Sequence, residues 1–375
     1  MAAPMLEFRT PGFNPYAVQY SPYYDARVAV ATAANFGIVG NGKLFVLELT
    51  PNGVVQAGPA WDTNDAQFDL AWSELNENQV LVACGDGSLK LFDLTVPTFP
   101  VMHFHEHKRE ALSVAWSPVA KDTFLTSSWD GTVKLWSPTR PQALHTLPIG
   151  ACTYSAAYCP LNPAIVSAAS SDSHLRVFDM RTPVSAKYHL VVSIPVHAPA
   201  TNIPPGYRGA EAHADPPLPP GTLGMPPAEI LTHDWNKYRD TVVATGGVDK
   251  FIRTFDLRNP ADGPLAVLPG HEFAVRRLAW SPHAHDLLLS ASYDMTVRVW
   301  TDGSPPPTIP QPPGPPAARL GTQLGVMNRH TEFATGVDWC LFGEGGWVAS
   351  TGWDERVLLW DANALIRQRT WGATR

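Results

Sequence analysis

Three histidines alternate at His103, His105 and His107. On a β-strand they would share one face, as the ligands of a metal ion must. Apart from Glu106, no acidic side chain or cysteine is placed to complete a coordination sphere, so no metal is expected. No GxSxG, HExxH or P-loop string is present, so nucleophilic, zinc and phosphate chemistry have no obvious carrier. The aspartates Asp86, Asp130, Asp172, Asp249, Asp294 and Asp354 recur in near-identical surroundings. That repetition marks turn formers rather than an acid–base pair. Cys84, Cys152, Cys159 and Cys340 form no CxxC pair and read as small buried side chains in a reducing compartment. The chain is therefore expected to act by recognition, with no catalytic residue and no cofactor.

The aspartates belong to a repeat. DGSLKLFD at 86–93, DGTVKLW at 130–136, DSHLRVFD at 172–179, DKFIRTFD at 249–256, DMTVRVW at 294–300 and DERVLLWD at 354–361 each place an aromatic six residues after the Asp. NGKLFVLE at 41–48 is a degraded seventh copy, with Asn41 for the Asp and Leu47 for the aromatic. Upstream of each copy lies an apolar strand ending in an aromatic, often followed by Ser-Pro, as in VAWSP at 114–118 and LAWSP at 278–282. Period-2 alternation between turn residues indicates strands. A more variable fourth strand follows, such as HTLPIG at 145–150. Where no insert intervenes, the copies are spaced by about 42–45 residues, a WD40 period. A lone blade cannot bury both faces, whereas stacked neighbours can.

These strings resemble WD40 repeats, which implies an all-β, seven-bladed propeller in one domain spanning 1–375. The blades are expected near 14–50, 61–95, 103–138, 144–181, 228–258, 268–302 and 327–362. In such blades a histidine contacts the turn Asp. By that resemblance His107, His271 and His330 are structural and serve Asp130, Asp294 and Asp354, which lie 23 or 24 residues downstream. The copies at Asp86, Asp172 and Asp249 lack a histidine at that offset, so their blades are expected to be held less tightly.

Two segments break the period. Residues 198–227 hold nine Pro, and 301–320 hold eight. Lacking donors, both are expected as extended or disordered surface loops that form no ladder. The first should emerge on the face of the fourth-to-first-strand connections, the second on the opposite face. PxxP spacing occurs at Pro313–Pro316, but Arg319 stands one place too far on for a PxxPxR ligand. A tolerated insertion is expected.

Net charge is −7 and no basic stripe is visible, which argues against nucleic acid. The start, MAAPMLEFRTPG, has no apolar core of a signal peptide, and no run approaches 18 apolar residues. Neither secretion nor membrane insertion is expected.

Function must then come from a surface. On the face of the fourth-to-first-strand connections, the mouth of the channel should carry two sets of residues. One is the residue before each turn Asp: Gly85, Trp129, Ser171, Val248, Tyr293 and Trp353. The other lies four to six residues before each inner-strand aromatic: Phe68, Glu110, Tyr154, Glu229, Arg276, Phe333 and Thr335, with Asp65 and Glu332 beside it. This aromatic–acidic rim suits an amphipathic peptide carrying Arg or Lys. The alternative is that some of these aromatics simply pack on the next blade.

NFGIVGNGKL at 35–44, AWSELNENQVLVACGDGSLKLFD at 71–93, AEILTHDWNKY at 228–238 and GHEFAVRRLAWSPH at 270–283 go beyond a generic repeat. With SYDMTVRVW at 292–300 and HTEFATGVDW at 330–339, they resemble the peroxin-7 family of import receptors for type-2 peroxisomal targeting signals. The resemblance spans nearly the whole propeller outside the inserts. It implies a receptor for an N-terminal nonapeptide on matrix enzymes, with a basic residue and a later His or Gln on a helix. It further implies a co-receptor peroxin, a docking complex and a cytosolic pool cycling to the peroxisome membrane and matrix. The runner-up is a substrate receptor of a cullin-type ubiquitin ligase. It rests on FDMR at 178–181 and FDLR at 255–258, unless Arg181 and Arg258 pair with their own blades' acids. A histone-binding propeller would want an N-terminal helix, which this Pro- and Gly-containing start disfavours.

Overall fold

Asp130 shows how each repeat is built. Its carboxylate accepts the Thr132 N–H at 3.0 Å, which closes the turn between the second and third strands of a blade. The intervening residue must take a left-handed conformation, with φ of 80° at Gly87 and 78° at Gly131. Four later copies force a side chain into the same conformation: Ser173 (65°), Lys250 (73°), Met295 (66°) and Glu355 (61°). The second strands are buried at nearly every position and the third strands at most of theirs, because both faces of each sheet pack on neighbouring blades.

The computed structural model describes residues 5–38, 40–182, 189–197, 228–306, 318–343 and 345–372, the last five as backbone only. Seven sheets, antiparallel but for one edge pairing in blade 5, each run from an inner to an outer strand, giving an all-β, seven-bladed propeller. Blade 3 is typical: Ala111–Trp116, Phe124–Ser128, Thr132–Trp136 and His145–Pro148. The fourth strands are Met102–His105 in blade 2, His145–Pro148 in blade 3, Ala266–Leu268 in blade 5 and Thr322–Met327 in blade 6. Met102–His105 and His145–Pro148 therefore belong to the sheet before the repeat span in which they fall.

The ring closes through an element that the repeat pattern did not reveal. Leu6–Arg9 pairs antiparallel with Arg356–Asp361, so the first strand of the chain completes the last blade. Phe8 packs edge-on to Phe45 of blade 1 at 6.1 Å. Inside the ring, inner-strand side chains reach the backbone of the next blade. Asp69 accepts Val114 N at 3.0 Å, Ser113 accepts Ala156 N at 3.0 Å, Asp234 accepts Trp280 N at 2.7 Å and Asp338 accepts Tyr20 N at 2.8 Å. The last of these bonds joins blade 7 to blade 1. Across the channel, Arg277 pairs with Asp69 at 2.7 Å.

The histidine networks are continuous. His107 bonds Asp130 (2.9 Å) and Thr126 (2.8 Å), and Trp136 donates its indole N–H to the same Thr126 hydroxyl at 2.8 Å. His271 links Asp294 (2.7 Å) and Ser290 (2.6 Å), and His330 links Asp354 and Ser350 at 3.2 and 3.1 Å. Blade 5, expected to lack such a histidine, has one. His197 bonds Asp249 at 2.7 Å and Thr245 at 3.1 Å. The first insert separates the pair in sequence, yet its two ends meet, with Ala228 N donating to His197 O at 3.2 Å. Blades 2 and 4 use a cation instead: Lys90 approaches Asp86 at 3.4 Å, and Arg176 pairs with Asp172.

Residues 198–227 lie outside the described residues, as do 307–317. The expectation that the second insert forms no ladder is corrected at its end. Arg319–Leu320 adds a parallel fifth strand to blade 5, through Arg319 N to Leu265 O and Gly321 N to Val267 O, both at 2.9 Å. These residues follow the last proline and carry the N–H groups that the prolines lack. A helix, Ala362–Gly372, follows blade 7 and packs Leu365 and Ile366 on the core.

Candidate binding face

Every inner strand carries a β-bulge at the residue four before its terminal aromatic. The interruptions fall at Tyr16, Phe68, Leu112, Tyr154, Leu231, Arg276 and Thr335. A bulge leaves one residue unpaired and re-aims its side chain. Four of these residues, Tyr16, Phe68, Tyr154 and Arg276, thereby reach the channel mouth on the fourth-to-first-strand side.

Two clusters form there. The first draws on blades 1, 2, 6 and 7. Trp353 lies 5.5 Å from Tyr16, 5.4 Å from Phe36 and 5.2 Å from Phe333 between ring centroids. Tyr293 stacks on Phe333 at 4.8 Å, and Phe68 meets Tyr16 edge-on at 5.2 Å. The second lies on the other side of the ring, in blades 3 to 5. Trp129 meets Tyr154 edge-on at 6.3 Å and carries Arg109 over its ring at 5.4 Å. Tyr154 donates its hydroxyl to Glu229 at 2.9 Å, and Arg109 approaches Glu110 at 3.4 Å. Burial raises the Tyr154 phenol, and the adjoining Glu229 raises it further.

Asp65 is half-buried beside blade 2, where its carboxylate accepts Ala66 N at 2.7 Å. A Cβ on Gly85 would stand 2.8 Å from that carboxylate, so the close approach depends on glycine there. Glu332 is exposed beside Phe333. Thr335 does not reach the mouth: it is buried, and its hydroxyl donates to Pro15 O at 2.7 Å. Three side chains of the rim were missed from sequence. Tyr16 obeys the four-before-the-aromatic spacing and could have been found by applying it to blade 1. Phe36 is placed by three consecutive left-handed residues, Asn35, Phe36 and Gly37 (50°, 57° and 71°), which turn its ring onto Trp353. Arg109 carries no spacing signal.

Charge at the rim comes from Asp65, Glu110, Glu229 and Glu332 against Arg109 and Arg276. Among the described residues, no group of three or more His, Cys, Asp or Glu side chains is placed to hold a metal ion. His103 and His105 lie side by side on the outer strand of blade 2, with ring centroids 5.8 Å apart. Arg181 and Arg258 each lie on their own repeat's aspartate, Asp179 (2.6 Å) and Asp256 respectively. No helix among the described residues is long and apolar enough to cross a membrane.

Asp-capped turns repeated in seven blades that close into a ring define a WD-repeat propeller. The family model described as "WD domain, G-beta repeat" matches residues 98–137, 262–301 and 321–361. The chain is 38% identical to the "Peroxisomal targeting signal 2 receptor" of Saccharomyces cerevisiae, over 95% of this chain and 99% of that protein. It is 40% identical to "Peroxisome biogenesis protein 7" of Arabidopsis thaliana, over 94% and 96%. To the "Peroxisomal targeting signal 2 receptor" of Homo sapiens it is 35% identical, over 90% and 88%. The chain belongs to the family of peroxisomal targeting signal 2 receptors.

Proposed function

We propose that this chain binds the N-terminal type-2 signal of matrix proteins in the cytosol and, with a co-receptor peroxin, brings them to docking-complex proteins at the peroxisome. Its role is recognition, with no bond made or broken. The observation that carries this reading is the two-sided rim, an aromatic cluster on Trp353 facing an acidic cluster at Glu110 and Glu229. An amphipathic helix laid across the mouth puts its apolar side on Phe333, Trp353 and Trp129 and its Arg or Lys near Glu110, Asp65 or Glu229. The Arg109–Glu110 pair is exposed, so it is worth about 0–1 kcal/mol and readily exchanges Arg109 for a cargo cation. A co-receptor covering the helix excludes water and strengthens the new pair. The test is binding of a labelled type-2 signal peptide to the purified chain, with and without co-receptor. Loss of affinity on charge reversal at Glu110 supports the placement, and unchanged affinity refutes it.

A further inference from the structure

The face opposite the rim has a cavity of its own. The turns between first and second strands all point to this side. Six of the seven expose an apolar side chain: Tyr24, Leu75, Val119, Leu161, Tyr238, and Leu341 with Phe342. These turns are fixed to one another. Tyr238 donates its hydroxyl to Pro282 O at 2.8 Å, His283 donates Nε2–H to Cys340 O at 2.8 Å, and Lys121 approaches Glu74 at 3.7 Å. The apolar tips are therefore held out to solvent by a rigid frame, which is how preorganised docking surfaces are built.

Between blades 7 and 1 this face opens into a cavity of about 610 Å³, lined by Tyr20, Asp25, Leu49, Phe342, Trp347 and the Asp361–Arg367 pair. Two polar groups here are unanswered. Asp25 is exposed and forms no ion pair among the described residues. Tyr20 is 3% exposed, and its buried hydroxyl finds no hydrogen-bond partner among the described residues. Buried hydroxyls are rarely left so, and each exception calls for an explanation. Glu77, Asp122 and Asp240 are exposed on the same face; of its cations, Lys121, Lys237 and Arg239 are already paired with Glu74, Asp234 and Asp302, and Arg27 lies over the Tyr24 ring at 4.4 Å. Apolar walls under a net acidic rim complement a basic, apolar ligand.

We propose that this cavity docks a lysine- or arginine-bearing, otherwise apolar segment of a partner protein. The cation meets Asp25, and its apolar neighbours pack on Phe342, Trp347 and Leu49. The site lies across the disc from the aromatic rim, so both faces can be occupied at once. It does not depend on the identity of what the rim binds.

A fluorescein-labelled pentapeptide of alternating leucine and lysine serves as the probe, with a leucine–glutamate twin as control. Anisotropy is read with the rim saturated by unlabelled type-2 signal peptide, and affinity for that signal is measured on the same samples. The lysine probe is expected to bind at least tenfold tighter than its twin. Asp25→Lys should abolish that preference and leave signal affinity unchanged, whereas Glu110→Lys should leave probe binding unchanged. Equal binding of the two probes, or loss of the lysine probe with Glu110→Lys in place of Asp25→Lys, would overturn the proposal. So would sedimentation showing that the cavity is buried between two copies of the chain.

Discussion

His197 bonds Asp249 at 2.7 Å although 52 residues separate them. In blades 3 and 6 the equivalent separation is 23 residues. The proline-rich segment is spliced in just after the histidine without disturbing the pin. Replacing His197 by Ala strands the buried Thr245 hydroxyl and removes one partner of Asp249. It is expected to cost about 2–4 kcal/mol in urea unfolding, as much as His271→Ala. A cost near zero would mean that Arg253 alone holds blade 5.

Met295 occupies a left-handed turn position with φ of 66° and an exposed side chain. The strain of that conformation, about 1–2 kcal/mol for a residue bearing Cβ, exceeds the roughly 0.4–1 kcal/mol by which glycine stabilises the unfolded chain. Met295→Gly should therefore raise stability by about 0.5–1 kcal/mol, seen as a higher melting temperature.

Much of the architecture is legible because each repeat must solve the same local problem. An Asp that caps a turn and an aromatic six residues on can be counted along the chain. What escaped was non-local. The pin at His197 was hidden because its offset was counted through the insert. The closing strand Leu6–Arg9 is four residues of ordinary composition, meaningful only through its pairing with Arg356–Asp361. At the rim, spacing from the inner-strand aromatic mislocated Thr335, because the bulge that turns Tyr16 and Phe68 toward the mouth leaves the threonine buried against Pro15. Phe36 depends on backbone angles that no spacing rule encodes.

Stability should fall as pH drops from about 7 to 5. Burial lowers the pKa of His197 and His271, and brings His233 down to about 3. Below the ordinary histidine pKa of about 6.5, the unfolded chain takes up protons that the fold refuses. Asp338 acts in the opposite sense. Burial pushes it up to about 7, so its contribution is present at low pH and is lost as pH rises from about 4 to 7. Three histidines outweigh one aspartate. Asp338→Asn removes the opposing slope, so its urea midpoint should fall more steeply between pH 7 and 5 than that of the wild type. Parallel curves would show that Asp338 is already charged at neutral pH.

Phe36 and Trp353 separate binding from stability. Phe36 is 46% exposed, so Phe36→Ser should change stability by less than about 1 kcal/mol while weakening signal-peptide binding several-fold. Trp353 supports four other rings, and Trp353→Ala should lower both affinity and stability, the latter by about 3 kcal/mol. Unfolding and anisotropy on the same preparations distinguish the two.

The most direct test of the receptor reading is the dissociation constant of a fluorescent type-2 signal peptide for three proteins: the wild type, Glu110→Lys at the rim, and Asp122→Ala on the opposite face. Glu110→Lys is expected to weaken binding at least tenfold, about 1.4 kcal/mol. Asp122→Ala should match the wild type, and the same order should hold with co-receptor present. Equal affinities for all three proteins would contradict the placement of the signal on this rim.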